Sequence, residues 1–167
     1  MAVNRHGVER IVSGGQTGVD RGALDAAIAL GIPHGGWCPR GRGAEDGVIA
    51  DKYQLQEHAS RDYAERTRQN VIDSDGTLIL YRERLQGGTL LTHRFAQQLN
   101  KPLLRMRLDR PVHYDRIVLW LQTSSIRVLN IAGPRGSSHS GIAMLAFEVV
   151  CKLFQSSEAL PFSAEEK

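Results

Sequence analysis

Two kinds of apolar pattern alternate along this chain: short continuous runs, and longer stretches in which apolar residues return every third or fourth position. The first kind reads as a buried strand, the second as a helix packed along one side. Ile11 and Val12 make a first run that breaks into glycines. Val19, Ala23, Leu24, Ala27, Ile28 and Leu30 then share a helical face, stopped by Gly31 and Pro33. Gly35 to Trp37 leaves room for a short second strand at most, and Cys38 to Gly47 is too glycine-rich and charged to form an element. Tyr53 to Leu55 reads as a short extended piece, and Ser60 as the opening of a polar helix that turns Tyr63, Ala64, Thr67 and Val71 to the core.

The clearest strand is Thr77 to Tyr81, whose unbroken apolar character predicts burial on both faces in the middle of a parallel sheet. After Gly87, Gly88 and Thr89 comes a helix with Leu91, Phe95 and Leu99 on one face, ended by Asn100, Lys101 and Pro102. Leu103 to Leu108 predicts a strand near the sheet edge, because Arg105 and Arg107 alternate with apolar residues. Pro111 suits the first turn of a helix carrying Tyr114, Ile117, Val118 and Leu121, with Trp120 as packing or an oligomer contact. Val128 to Ala132 is the last strand, and Ile142, Leu145, Ala146, Val149 and Leu153 line the last helix.

Strands alternating with helices imply parallel pairing, since right-handed crossovers return each strand in the same direction. The fold class is therefore α/β, an open, mainly parallel sheet with helices on both faces. All loops that follow strands open on one edge, where such sheets bind ligands. Three of these loops carry glycine. The first, Gly14-Gly15-Gln16-Thr17-Gly18, runs into Asp20 and Arg21; the second is Gly87-Gly88-Thr89; the third is Gly133-Pro134-Arg135-Gly136-Ser137-Ser138. Backbone amides at a helix start, hydroxyls and guanidinium groups together suit a phosphate. The first loop is neither GxGxxG nor a P-loop, as no GK[ST] occurs. If the second strand is parallel to the first, Arg40, Arg42, Glu45 and Asp46 come to the same rim.

Composition narrows the picture. One domain is expected over residues 1–155, followed by a polar tail at 156–167 whose closing SAEEK reads as disordered. No apolar run is long enough for a membrane span, and MAVNRHGVER holds no signal core, which predicts a cytoplasmic protein. Cys38 and Cys151 match no metal or redox spacing and read as free thiols. The six histidines are scattered, so no metal site is expected, although His139 falls in the third glycine loop. A formal charge of +3 and a pI near 9.1 suit an anionic small ligand, and no basic tract or RNP-type aromatic motif calls for nucleic acid. Besides Asp20, the carboxylates expected near the rim are Glu45, Asp46, Asp73 and Asp75, the last two also reading as turn residues before the central strand.

SGGQTGVDRGALDAAIALGIPHGGWCPRGRGAEDG, NVIDSDGTLIL, QGGTLLT and NIAGPRGS together resemble the circularly permuted YpsA branch of the SLOG superfamily, first catalogued as "putative molybdenum carrier" proteins. In unpermuted relatives such as DprA the strand ending in a GSR-like loop comes first, whereas here the GPR strand comes last. The resemblance implies a Rossmann-like fold that binds a nucleotide or nucleotide-like ligand, and it points to Gly14, Gly15, Thr17, Asp20 and Arg21, to Gly87, Gly88 and Thr89, and to Gly133, Arg135 and Ser137. Lonely Guy phosphoribohydrolases of the same superfamily carry a PGGxGTxxE loop whose glutamate acts in glycosidic cleavage. This chain has Gly87-Gly88-Thr89-Leu90-Leu91-Thr92 in the corresponding loop, without that carboxylate. The expectation is a binding protein for a phosphorylated nucleotide-like or pterin-like ligand, such as the molybdenum cofactor, with nucleotide hydrolysis as the alternative. A homodimer or higher homo-oligomer is expected as well.

Overall fold

A computed structural model describes residues 2–155; the polar tail predicted for 156–167 lies outside the described residues. The central sheet has five parallel strands in the order β2-β1-β9-β7-β8, where β1 is Arg10–Val12, β2 His34–Gly35, β7 Gly76–Tyr81, β8 Leu103–Arg107 and β9 Val128–Ala132. The last strand of the chain thus lies at its centre, between β1 and β7. Four helices connect the strands, α1 (Val19–Leu30), α2 (Tyr63–Ile72), α3 (Gly87–Gln98) and α4 (Tyr114–Thr123), and α5 (Ile142–Phe154) follows the last strand among the described residues. This is a Rossmann-like α/β fold.

Alternation along β7 shows how both faces are covered. Leu78 and Leu80 join a core built with Val19, Ala23 and Ala27 of α1, Ile117 and Leu121 of α4, and Ile142, Ala146 and Val150 of α5. Ile79 is equally buried but outside that cluster, as are Val71 of α2 and Ala96 of α3, and α2 packs against α3. At about 25 cal/mol per Å² of apolar surface, a fully buried side chain of this size contributes roughly 1.5–3 kcal/mol, and it is this burial rather than helix propensity that fixes the layers. The tightest helix contact is α1 on α5, where a Cβ on Gly22 would stand 2.2 Å from the Ala143 carbonyl oxygen.

Several local readings need correction. The polar helix opens at Tyr63, because Asp62 and not Ser60 accepts from an early helix amide, that of Ala64 at 2.9 Å. The short second strand is two pieces: β2 in the main sheet and β3 (Trp37–Cys38), which pairs with β6 (Gln56–Glu57), one step beyond the extended piece expected at Tyr53 to Leu55. Gly36 separates them at φ 123°, with its missing Cβ leaving room for the Ser13 carbonyl. The stretch expected to hold no element contains a small hairpin, β4 (Gly43–Ala44) against β5 (Gly47–Val48). Gly87, Gly88 and Thr89 form the first turn of α3 and not a loop before it. The deepest stripe of that helix is Thr89, Thr92 and Ala96, small residues that let it approach, while Leu91, Phe95 and Leu99 flank it half-buried. Ile28 is exposed, and Trp120 packs half-buried against the core beside Gly76. No helix among the described residues is long and apolar enough to cross a membrane.

Candidate ligand-binding cleft

β9 sits where the connections diverge, with β1 leading to β2 on one side and β7 to β8 on the other. At the carboxyl edge beside it lies a cavity of about 420 Å³, lined by Gln16 and Asp20, by Tyr63, Arg66 and Thr67 of α2, by Arg84 and the start of α3, and by Ala132 to Arg135 with Ser138 and His139. Its size is within the range of small-molecule sites. The first turn of α3, with Gly87 and Gly88 in the cavity wall, brings the positive end of the helix dipole to this space.

The charges are lopsided. Arg66, Arg84 and Arg135 line the cavity against the single lining carboxylate Asp20. Arg66 Nη1 stands 3.7 Å from Asp20 Oδ2, and neither Arg84 nor Arg135 pairs with a carboxylate among the described residues. Asp20 also accepts from the Gln16 amide at 3.2 Å. Burial nonetheless pushes the Asp20 carboxyl above its usual range, against the pull of Arg66. The same burial lowers Arg66, with Asp20 opposing it. The aromatic ring of Tyr63 holds two of the guanidinium groups nearby, Arg135 at 5.1 Å and Arg66 at 5.7 Å from its centroid. Two polar atoms of the wall, Gln16 Oε1 and Arg66 Nε, are sealed in without a partner. Leaving such a group unpaired costs about 1–3 kcal/mol, which a ligand atom placed against it would recover.

Of the residues named from sequence, Gln16, Asp20, Gly87, Gly88, Thr89, Gly133, Pro134, Arg135 and Ser138 line the cavity, with His139 beside them. Gly14, Gly15, Thr17, Gly18, Arg21, Arg40, Asp46 and Ser137 do not, and each has another engagement. A Cβ on Gly14 would lie 1.5 Å from Arg66 Nη1, so this glycine makes room for a side chain and not directly for a ligand. Gly15 and Gly18 have φ of 75° and 85°, and a Cβ on Gly18 would stand 2.2 Å from the Pro134 oxygen. Arg21 donates to Asp46 at 2.5 and 2.9 Å and to the Gly15 carbonyl at 3.0 Å. That bonding raises Arg21 and lowers Asp46. Thr17 and Ser137 both bond Glu45, whose carboxyl is lowered first by Ser137 and then by Thr17. Arg40 is exposed, its backbone amide bonded to Ser60. Asp73 and Asp75 precede β7 and thus lie at the opposite edge, where Asp75 accepts from the Arg127 and Val128 amides and Asp73 from Trp37 Nε1.

Sequence reasoning missed Tyr63, Arg66 and Arg84 as lining residues. For α2 the signal was present: Tyr63, Arg66 and Thr67 are three and four positions apart and share a face, but a face that carries an arginine reads as solvent-facing until its neighbours are known.

A metal held directly by side chains does not fit. Among the described residues no three of His, Cys, Asp and Glu stand together, and Cys38 is buried with a thiol raised by burial. The lining instead offers N–H and O–H donors from arginine, threonine and serine, which suit the oxygens of an anion.

A family model described as circularly permutated YpsA SLOG family matches residues 11–154. A crystal structure of a "putative molybdenum carrier protein" from Syntrophus aciditrophicus SB is 46% identical, superposes with a TM-score of 0.84, and is matched over 90% of this chain and 96% of that one. No curated protein matches the chain.

Proposed function

Because the chain belongs to the circularly permutated YpsA SLOG family, we propose that its cleft binds a small phosphorylated ligand of nucleotide-like or pterin-like character, the molybdenum cofactor being one such molecule. The observation that carries this reading is the charge of the cleft: three arginines face one buried carboxylate, beside the amide groups that open α3. A phosphate there gains charge-assisted hydrogen bonds from Arg84 and Arg135, which pair with no carboxylate among the described residues. Thr89, Ser138 and His139 line the same space and offer it further hydrogen-bonding groups. Molybdenum is then cargo within an organic molecule, and the protein touches the phosphate and the ring system and not the metal. The similar structure carries the name of a molybdenum carrier, which agrees with that role.

Denaturing freshly purified protein and identifying released small molecules by mass spectrometry tests the proposal. A stoichiometric phosphorylated nucleotide or pterin is the expected result. Protein that releases none, and that in titration takes up neither nucleoside monophosphates nor phosphorylated pterins, overturns it.

We further propose that the protein works as a homodimer in the cytoplasm, with the exposed Leu119 beside Trp120 as part of the contact. Light scattering at working concentration is expected to give twice the 18.5 kDa chain mass, and a monomer mass rules this out.

A further inference from the structure

A second cavity, of about 450 Å³, lies away from the cleft and takes its lining from every residue of β8, Leu103 to Arg107, together with Tyr81 at the end of β7 and Arg110, Pro111, His113 and Arg116. β8 is an edge strand, paired only with β7. With all five residues of an edge strand in its wall, the hollow borders the free side of β8, where alternate amides and carbonyls have no ladder partner. Leu104 and Met106 are buried toward the helices α4 and α5, so the groove is walled by Arg105 and Arg107 on one side and by residues of the α4 approach on the other. Arg107 is held by Asp109, but Arg105, Arg110 and Arg116 pair with no carboxylate among the described residues, and no acidic residue lines the groove.

We propose that this groove is a docking site for an acidic, extended segment of a partner protein, which adds to the sheet as a strand alongside β8. Five residues of strand span roughly 17 Å, enough to register a segment of the same length. Successive side chains of an added strand point to opposite faces, so carboxylates at neighbouring positions meet Arg105 on one face and Arg110 and Arg116 on the other. Main-chain hydrogen bonds then give affinity while the arginines select for acidity. A second copy of this chain is a poor occupant. Pairing β8 with its own symmetry mate sets rows of arginine against each other, and like charges facing across strands are destabilising.

The probe is the fluorescein-labelled peptide Glu-Glu-Val-Glu-Glu-Val, which carries carboxylates on both faces of a strand, titrated with the full-length protein and followed by anisotropy. Saturable binding is expected. Arg105→Glu and Arg116→Glu each weaken it at least about tenfold, while Arg68→Glu, on exposed α2 surface, leaves it unchanged. N-methylation of alternate peptide amides, which removes the ladder donors and keeps the charge, weakens it at least about tenfold as well. The proposal is overturned by absent binding, by an equal loss with Arg68→Glu, or by undiminished binding of the methylated peptide. Tighter binding of an oligothymidylate of equal charge marks the groove as a nucleic-acid surface and also overturns it. So does a change in oligomer mass caused by Arg105→Glu, which assigns the groove to a second copy. None of these outcomes depends on what the main cleft holds.

Discussion

The carboxylate of Glu45 is seated on Ser137: Oε2 accepts from the Ser137 hydroxyl at 2.6 Å and Oε1 from its backbone amide at 3.1 Å. Thr17 bonds the same carboxylate and also accepts from the Gly136 amide at 3.2 Å. A side chain of the β4–β5 hairpin therefore occupies donors of the first and third glycine loops that would otherwise suit a phosphate. Asp46, next to it, ties the hairpin to Arg21.

This clasp should open in acid. Glu45 and Asp46 both sit below their unfolded values of 4.5 and 3.8, so their contribution is complete above those values and disappears as pH falls through the lower folded ones. Hydrogen exchange of residues 43–48 and 133–139 should be faster in Glu45→Gln than in the wild type at pH 7, and the difference should shrink progressively as the pH falls below 4.5. A difference that persists unchanged at low pH contradicts the assignment.

Arg135→Ala should weaken binding of nucleoside monophosphates by tenfold or more, since a charge-assisted contact contributes about 1.5–3 kcal/mol. Arg107→Ala should leave it unchanged, because Arg107 lies outside the cleft and is held by Asp109. Calorimetric titrations that return equal affinities for the two variants remove Arg135 from the site.

Gly22→Ala should destabilise the fold by about 1–3 kcal/mol, because the new methyl group meets the Ala143 carbonyl across the α1–α5 contact and the helices must separate. Gly88→Ala, where nothing stands within 4 Å, should change stability by less than about 0.5 kcal/mol. Denaturant unfolding of the two variants makes the comparison. Equal midpoints show that α1 and α5 pack less tightly than described.

Incubation with nucleoside monophosphates should release no free base. Thr92 lines the cleft, and its hydroxyl donates to the Gly88 carbonyl at 2.9 Å; a hydroxyl does not replace the glutamate of the related hydrolases as a general base, a role worth about 10²–10⁴-fold. Asp46 and Asp75 are tied elsewhere, which leaves Asp20 as the one lining carboxylate. Chromatography that finds base released by the wild type and not by Asp20→Asn replaces the binding reading with an enzymatic one.

The sequence by itself determined the order and type of the main elements, the parallel sheet and the edge on which its loops open. Runs such as Thr77 to Tyr81 and the three-and-four spacing of α1 and α5 are local signals, set by which faces of a strand or helix must leave water. The first two glycine segments were legible for a similar reason, since Gly15, Gly18 and Gly87 adopt backbone angles that other residues rarely take. The tertiary structure decided which of their side chains reach the cleft. Thr17, Arg21 and Ser137 are spent on Glu45 and Asp46, about thirty and ninety positions away along the chain, and no periodicity records such a pairing. Arg66 reached the cleft only because Gly14 has no Cβ to block it and Asp20 stands beside it. A charged residue on a helix is read as solvated until its partners are known, because its burial depends on groups brought near by the packing of distant segments.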